Sequence, residues 1–267
     1  MSKVNKHEDI IVDYYNNYDE DDRFARKSRR IEFLTTMRYI KKFAKKGCKI
    51  LEIGAGTGAY SVELAKMGYN VTAVELVESN LNVMKKKAEG IKNIVCLQGD
   101  ALDLSRFEDN SFDIVLNLGP MYHLYTQKDK DKAIKETLRV CKSNGICMFA
   151  YITHSQIVWN YGVKKHKFAE LEKMMLKNGA IKDIPKEVFT SYFIEDFEKQ
   201  FPKTKSTHLL NVAADGLGHL MQDYIDNDMS DEDYERLLNW HFTTCERVDH
   251  QGISCHMLYI CKKNTVK

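Results

Sequence analysis

The feature that most constrains the fold is a glycine-rich turn between a short apolar strand and a helix. The strand is predicted at Lys49–Ile53, and Gly54, Gly56 and Gly58 follow it before a helix that begins near Ala59. Glycines at such a turn allow positive φ angles and let the backbone approach a ligand closely. A tight strand–helix turn without a ligand would carry the same glycines, so the turn alone is only moderately specific.

Strand and helix patterns alternate along the chain on both sides of this turn. Further strands are predicted at Asn70–Val74, Asn93–Leu97, Phe112–Leu116, Ile146–Ile152, Thr204–Ala214 and Ser254–Lys262. Helices are predicted from Ala59, around Leu81–Ala88, and at Lys130–Cys141 and Ser230–Cys245. This alternation is typical of an α/β fold, with a mostly parallel, Rossmann-like sheet and helices on both faces.

Three segments interrupt or precede the alternating pattern. Residues 1–46 form an N-terminal arm and a helix, because apolar residues recur at helical spacing from Ser28 to Lys46. The remainder, residues 47–267, is predicted to be one domain with helical insertions at about 154–200 and 215–250. Both insertions are rich in aromatic residues, and we expect them to act as a lid over a small, partly apolar acceptor.

Composition excludes several classes of protein. The 40 basic and 38 acidic residues give a net charge of +2, which provides no electrostatic case for binding nucleic acid or an anionic membrane. The apolar stretches are strand-sized rather than membrane-spanning, and the first residues lack the pattern of a secretory signal. We therefore expect a soluble, cytoplasmic protein, whose oligomeric state the sequence leaves open.

The seven cysteines form no Cys-x-x-Cys pair, which argues against a zinc finger or a thioredoxin-type site. Cys245, Cys255, His256 and Cys261 lie close together in the sequence and raise the question of a metal site. However, Cys255 and Cys261 have the parity of one strand face, where reduced cysteine behaves as a small hydrophobic residue. Buried thiols and no bound metal are the expectation.

Three acidic residues specify the ligand of the glycine turn more closely. Glu75 ends the second strand, beside the turn, where it can accept hydrogen bonds from both hydroxyls of a ribose. Asp100 follows the third strand and can accept from an adenine amine, while the N–H of Ala101 can reach a ring nitrogen. Glu52 lies in the turn itself, where a carboxylate would repel a pyrophosphate but tolerate a cation. The set predicts an adenosine that carries positive charge.

The segment Glu52–Gly58 has the pattern E-x-G-x-G-x-G and, with these acids, resembles the class I S-adenosylmethionine-dependent methyltransferases over about residues 10–153. The resemblance implies S-adenosylmethionine as cofactor, S-adenosylhomocysteine as product, and a seven-stranded sheet whose last strand lies antiparallel between strands five and six. It also implies that the cofactor contacts Glu52, Gly54, Ala55, Gly56, Glu75, Leu76, Asp100, Ala101, Asn117, Leu118 and Gly119.

The segment after strand four, Gly119–Leu124, reads Gly-Pro-Met-Tyr-His-Leu and is similar to a bacterial subgroup with Gly-Pro-Leu-Tyr-His-Leu there. By that resemblance the N-terminal arm closes over the cofactor. Tyr15 and a basic residue, Arg23 or Arg30, then lie near its methionine end. Packing is the alternative role for Tyr15.

Residues just after strand four project toward the transferred methyl group in this fold, which nominates Tyr122 and His123 as catalytic residues. His123 could accept a proton from the acceptor, or it could simply hydrogen-bond the loop. The predicted activity is methyl transfer to a small molecule by in-line displacement. A methyltransferase acting on RNA or protein, a non-catalytic binder of the cofactor, and an NAD-dependent oxidoreductase are the alternatives. Whether N, O, S or C is methylated is left open.

Overall fold

The computed structural model describes residues 7–18, 20–183 and 188–265. Within these, seven strands form one sheet in the order β3-β2-β1-β4-β5-β7-β6. The strands are β1 (Lys49–Ile53), β2 (Asn70–Glu75), β3 (Ile94–Gln98), β4 (Phe112–Asn117), β5 (Cys141–Ile152), β6 (Ser206–Ala213) and β7 (His256–Lys263). Strand β7 runs antiparallel to both β5 and β6, and the pairs from β3 to β5 are parallel. The predicted fold class and the antiparallel last strand are confirmed.

Helices surround this sheet. They are α1 (His7–Asn16), α2 (Lys27–Phe43), α3 (Ala59–Lys66), α4 (Glu78–Lys87), α5 (Gln127–Val140), α6 (His154–Ile157), α7 (Phe168–Glu172), α8 (Ile194–Glu198), α9 (Gln222–Asn227), α10 (Asp231–Thr244) and α11 (Val248–Gln251). A 3-10 turn at Pro120–Tyr122 and a π-helix at Val158–Lys164 complete the set. Among the helices described, none is both long and apolar enough to cross a bilayer.

The central strands are buried because helices cover both faces of the sheet. Ile50 and Leu51 of β1 and Val115 and Leu116 of β4 are fully enclosed. Such near-continuous apolar burial is typical of parallel strands. The consequence for function is that the polar ends of these strands, and the loops after them, are the places where a ligand can bind.

Some element boundaries differ from the sequence prediction. Strand β5 begins at Cys141 rather than Ile146, because the predicted turn is part of the strand, with Asn144 at a positive φ of 63°. Helix α5 begins at Gln127, since the hydroxyl of Thr126 accepts a hydrogen bond from the Asp129 N–H and caps the helix.

The two insertions differ in character. The second, residues 215–250, contains α9, α10 and α11 and packs against α2. The first, residues 154–200, is helical at its ends, through α6, the π-helix, α7 and α8, but residues 173–183 and 188–193 form turns and extended segments. Residues 184–187 of this insertion, and residues 1–6 of the arm, lie outside the described part. The lid role of the insertions stays a prediction.

Candidate active site

A cavity lies at the carboxyl ends of β1, β2 and β4, where the order of the sheet reverses direction. It encloses about 1110 Å³, counted out to its open mouth. Its walls come from the N-terminal arm, helix α2, the glycine turn, the ends of β2 and β3, and the segment after β4. Ligands of open α/β sheets bind at this kind of topological switch point.

Both the backbone conformation and close packing require glycine in this turn. Gly54, Gly56 and Gly58 have φ angles of 71°, 55° and 84°, which L-residues with side chains rarely adopt. A Cβ on Gly54 would lie 2.8 Å from Cδ of Pro120. The N–H groups of Gly54 and Ala55 donate to the carbonyl of Val74 at 2.9 and 3.1 Å, which fixes the turn against β2.

Glu75 is held beside the glycine turn by two backbone groups. Its Oε2 accepts from the Gly56 N–H at 2.7 Å, and its Oε1 accepts from the Val77 N–H at 2.9 Å. Burial raises the pKa of this carboxyl, and the two N–H donors oppose that rise. Each carboxylate oxygen has a second lone pair, so Glu75 can still accept hydrogen bonds from a ligand in the cavity.

The wall beyond Glu75 is formed by the ends of β2 and β3. Leu76, Asp100 and Ala101 all line the cavity. Asp100 is oriented by the N–H of Leu102, which donates to its Oδ1 at 2.9 Å. The structure therefore brings the predicted ribose acid and the predicted adenine acid to one surface.

Glu52 lies at the base of the cavity with only 1% of its surface exposed. The hydroxyl of Ser61 donates to its Oε2. Burial raises the pKa of Glu52 to about 8, so the protonated form of the carboxyl is favoured at neutral pH. Repulsion of an anion by Glu52 is therefore weaker than its residue type suggested, whereas a nearby cation would favour its ionised form.

The N-terminal arm brings Tyr15 and Arg23 into the cavity wall. The Arg23 guanidinium donates to Oε1 of Glu32 on α2 at 2.8 Å and lies 3.4 Å from Oε1 of Glu20. Burial also raises the pKa of the Glu20 carboxyl, against the effect of Arg23. A single cation thus lies in the cavity wall beside two carboxylates, which fix its position.

His123 is part of a hydrogen-bonded chain that the arm completes. Its Nδ1 lies 2.8 Å from the carbonyl oxygen of Val188, and its Nε2 lies 3.0 Å from the hydroxyl of Tyr15. Because a carbonyl oxygen only accepts, Nδ1 carries the proton and Nε2 accepts from Tyr15. The basic nitrogen of His123 is therefore covered by Tyr15 in this conformation.

Tyr122 lines the cavity but is bonded to its own loop. Its hydroxyl donates to the carbonyl of Leu118 at 3.0 Å, and burial raises its pKa to about 12. Both observations argue for a positioning role rather than for a proton acceptor.

The predicted residues after β4 are only partly brought together. Leu118 and Gly119 line the cavity, whereas the side chain of Asn117 is fully buried on the other side of the strand. Its Nδ2 donates to Oγ1 of Thr137 in α5 at 3.1 Å. Because β4 extends to Asn117, the strand alternation points this side chain at α5 and away from the cavity.

Several cavity residues were not found by sequence reasoning. Glu20, Glu32, Thr36 and Tyr60 line the cavity from the arm, α2 and α3. Glu32 is 6% exposed, and within the described residues its Oε2 accepts no hydrogen bond, although Nδ1 of His256 lies 3.9 Å from it. The available signal for Glu32 was its charge, next to the apolar stripe of the predicted helix Ser28–Lys46.

Comparison with known sequences finds matches to the region around the glycine turn. Residues 51–149 match the family model described as a methyltransferase domain. A demethylmenaquinone methyltransferase of Staphylococcus aureus (strain JH9) is 37% identical over 105 residues, or 38% of this chain and 42% of that protein. The Bacillus subtilis (strain 168) protein YqeM, provisionally named a methyltransferase, is 33% identical over 102 residues, or 38% of this chain and 41% of that protein. The chain thus spans about two fifths of the length of these relatives.

Solved structures with the same fold cover most of the chain. A SAM-dependent methyltransferase from Methanosarcina mazei superimposes with a TM-score of 0.56 at 16% identity, covering 85% of this chain and 98% of the other. The [4+2]-cyclase SpnF does so with a TM-score of 0.54 at 15% identity, covering 88% of this chain and 82% of the other. The family model and the shared fold confirm the resemblance to class I S-adenosylmethionine-dependent methyltransferases.

Proposed function

We propose, on the premise that residues 51–149 form a class I methyltransferase domain, that this chain transfers a methyl group from S-adenosylmethionine to a small-molecule acceptor. The observation that carries the proposal is the position of Glu75. Its carboxylate is held between the N–H groups of Gly56 and Val77, at the edge of the cavity at the topological switch point of the sheet. There it can bind the two hydroxyls of a ribose.

The rest of the cofactor follows from this anchor. Adenine would lie against Leu76 and Ala101, with its amine donating to Asp100. The sulfonium would lie between Gly54 and the segment that includes Leu118 and Gly119. Protonated Glu52 imposes no charge penalty on the neutral parts of the cofactor, and it can ionise next to a cation.

The methionine end of the cofactor carries a carboxylate, and Arg23 supplies the matching cation. The guanidinium has five donors, and the contacts to Glu20 and Glu32 orient it in the cavity wall. A charge-assisted hydrogen bond from a side chain that is already oriented binds more strongly than one from a mobile surface residue. This assigns the arm a direct role in holding the cofactor.

The acceptor space favours a small molecule. The arm forms the wall beside Tyr122 and His123. Apolar residues from the arm, the segment after β4 and the sheet complete it: Ile11, Leu124, Ala150, Met257 and Leu258. A largely apolar pocket disfavours water around the reactive sulfonium and suits a small, partly apolar acceptor. Demethylmenaquinone methyltransferase, to which part of the chain is similar, is named for a small-molecule acceptor.

The chemistry is an in-line displacement at the methyl carbon. The lone pair of the acceptor atom forms the new bond to carbon as the carbon–sulfur bond breaks, and S-adenosylhomocysteine leaves as a neutral thioether. Proximity and alignment can supply about 7–11 kcal/mol of catalysis in favourable cases. If the acceptor atom carries a proton, His123 Nε2 is the nearby base, and Tyr15 must either move aside or pass the proton on.

Calorimetry with S-adenosylmethionine, S-adenosylhomocysteine and NAD tests the proposal. We expect the wild type to bind the first two and not NAD. Glu75→Ala should lower the affinity for S-adenosylmethionine and for S-adenosylhomocysteine by at least about tenfold, since a hydrogen bond to a charged group contributes about 1.5–3 kcal/mol. Glu78→Ala, in the exposed first turn of α4, is the matched control and should bind like the wild type.

Two outcomes would contradict the proposal. Binding of NAD alone would assign the cavity to an oxidoreductase. Binding of S-adenosylmethionine without a methylated product from any acceptor in a broad small-molecule screen would favour a non-catalytic binding protein. The second outcome matters because one fold supports several chemistries.

A further inference from the structure

Behind the cavity wall, three residues with different donor atoms lie close together. Asp215 and His219 follow β6, and Cys255 immediately precedes β7. All three are buried, and one potential ligand atom from each lies within 4.8 Å of the other two. The neighbouring residues Ala214 and Met257 line the cavity, but the three-residue cluster itself does not.

His219 has a buried nitrogen that nothing in the described residues satisfies. Its Nε2 lies 2.9 Å from Oδ1 of Asn160, in the π-helix. Because an amide oxygen only accepts, Nε2 carries the proton and Nδ1 presents its lone pair. That Nδ1 is buried without a hydrogen-bond partner, in a side chain only 1% exposed. A buried acceptor in this state is unfavourable unless something binds it.

Asp215 is held as an anion. Its Oδ1 accepts from the Ser254 hydroxyl at 2.7 Å and from the N–H groups of Cys255 and His256 at 2.9 and 3.1 Å. Its Oδ2 lies 2.7 Å from Nδ1 of His256. Burial alone would raise the pKa of Asp215, but these partners hold it well below its usual value. The carboxylate is therefore ionised and fixed in orientation before any cation arrives.

The other two donors are neutral without a cation. Nδ1 of His219 carries no proton, because the Nε2–H donates to Asn160, and its lone pair can therefore bind an ion. Burial and the charge of Asp215 raise the pKa of the Cys255 thiol, while Arg29 and Lys164 oppose that rise. A divalent ion bound to one carboxylate, one thiolate and one neutral imidazole would form a cluster of zero net charge.

We propose that Asp215, His219 and Cys255 bind a divalent transition-metal ion, with zinc the best match for this donor set. Zinc accepts carboxylate oxygen, imidazole nitrogen and thiolate sulfur, and in a tetrahedral site these three donors leave the fourth position to a water molecule. Bonds of about 2.0–2.3 Å place ligand atoms about 3.3–3.5 Å apart, so ligand atoms that lie up to 4.8 Å apart need to approach one another by at most about 1.5 Å.

Asn160 supplies the outer contact that such sites require. A metal-binding histidine normally donates its other ring N–H to an oxygen, which fixes the ring and its tautomer. The bond from His219 to Asn160 has this geometry. The π-helix that carries Asn160 is a rare element, often found at functional sites.

This assignment differs from the cysteine grouping that the sequence raised. Cys245 lies against the Tyr39 hydroxyl, and Cys261 is opposite Cys147 in the sheet. Neither joins Cys255. The proposed ion instead connects the second insertion, through His219, to the residue before β7, Cys255. The hydrogen bond from His219 to Asn160 links the first insertion to the same site. Its role is to fasten both insertions to the sheet behind the cavity, and it does not depend on methyl transfer.

Cobalt substitution tests the site directly. The full chain is produced in zinc-depleted medium with added Co²⁺, so that the ion is present during folding, and its metal content is measured by mass spectrometry. We expect one Co²⁺ per chain, with a near-ultraviolet thiolate-to-cobalt charge-transfer band. Cys255→Ser should abolish that band, and His219→Gln should reduce the cobalt content at least about tenfold. Cys261→Ser, which changes another buried thiol, is the control and should keep the band.

Several results would overturn the proposal. One is a folded wild type that contains less than a tenth of an equivalent of cobalt. Another is a charge-transfer band that persists in Cys255→Ser, and a third is the loss of that band in Cys261→Ser. Asn160→Ala gives a variant outside the three ligands, and we expect its cobalt affinity to fall about 10–100-fold while its circular dichroism is unchanged. Unchanged cobalt affinity in Asn160→Ala would remove His219 Nδ1 as a ligand.

Discussion

Arg23 provides the most discriminating test of how the cavity holds its cofactor. If its guanidinium binds the methionine carboxylate, Arg23→Gln should weaken the binding of S-adenosylhomocysteine. The binding of 5′-methylthioadenosine, which lacks the amino acid part, should be unaffected. The lost interaction is one charge-assisted hydrogen bond, or a bidentate pair, of about 1.5–3 kcal/mol. The expected loss of affinity for S-adenosylhomocysteine is therefore about 10–150-fold at 25 °C.

The structure also dictates the control for this experiment. Arg23 neutralises Glu32, so Arg23→Gln leaves a buried carboxylate without its partner, which can destabilise a protein by about 3–5 kcal/mol. The double variant Arg23→Gln/Glu32→Gln removes both charges and should recover much of the lost stability, but not the affinity for S-adenosylhomocysteine.

Titration calorimetry with both ligands, and chemical unfolding of all three proteins, give the required comparison. A parallel loss of affinity for the two ligands would mean that the substitution disturbs the whole cavity, and the assigned role of Arg23 would be wrong. Undiminished binding of S-adenosylhomocysteine by a folded Arg23→Gln variant would refute it equally.

Two further predictions concern the glycine turn and its acid. The folded-state pKa of Glu52, about 8, is above its unfolded value of 4.5, so the folded protein binds more protons between these values and the free energy of unfolding falls as pH rises from about 4.5 to 8. At 1.36 kcal/mol per pH unit, the free energy of unfolding falls by several kcal/mol over this range. Chemical unfolding of Glu52→Gln should show a flatter dependence of that free energy on pH than the wild type. The same pH dependence in both proteins would contradict the raised pKa of Glu52. Gly54→Ala should destabilise the protein more than Gly47→Ala, since both glycines have positive φ but only at Gly54 would a Cβ meet Pro120. Calorimetric unfolding should show a loss of stability of about 1–2 kcal/mol for Gly47→Ala and a larger loss for Gly54→Ala. Equal losses of stability would mean that the contact with Pro120 relaxes freely.

Glu75 and Asp100 line the cavity where chain continuity predicts them, and their roles toward a cofactor stay predictions. Glu75 ends one strand, and Asp100 follows the next. Parallel strands present their carboxyl ends at one edge, so both acids had to lie beside the glycine turn once the strands were identified. Strand β4 extends one residue further than predicted and directs the side chain of Asn117 toward α5; its contact with the cofactor stays a prediction.

The parts that could not be predicted depend on contacts between segments distant in sequence. Tyr15 and His123 are 108 residues apart, and only the folded arm brings the tyrosine hydroxyl onto Nε2. Nothing in either segment encodes that pairing, yet it determines whether His123 can act as a base.

The same long-range geometry places two residues of the arm in the wall of the cavity. Tyr15 covers the basic nitrogen of His123, and Arg23, a few residues later, lies in the wall predicted to hold the methionine carboxylate. A displacement of the arm would change both contacts together, since one short segment carries them. Binding of the cofactor through Arg23 would therefore favour the closed arm, and with it the Tyr15–His123 bond. Access of an acceptor to His123 then requires either a local movement of Tyr15 or a proton path through its hydroxyl.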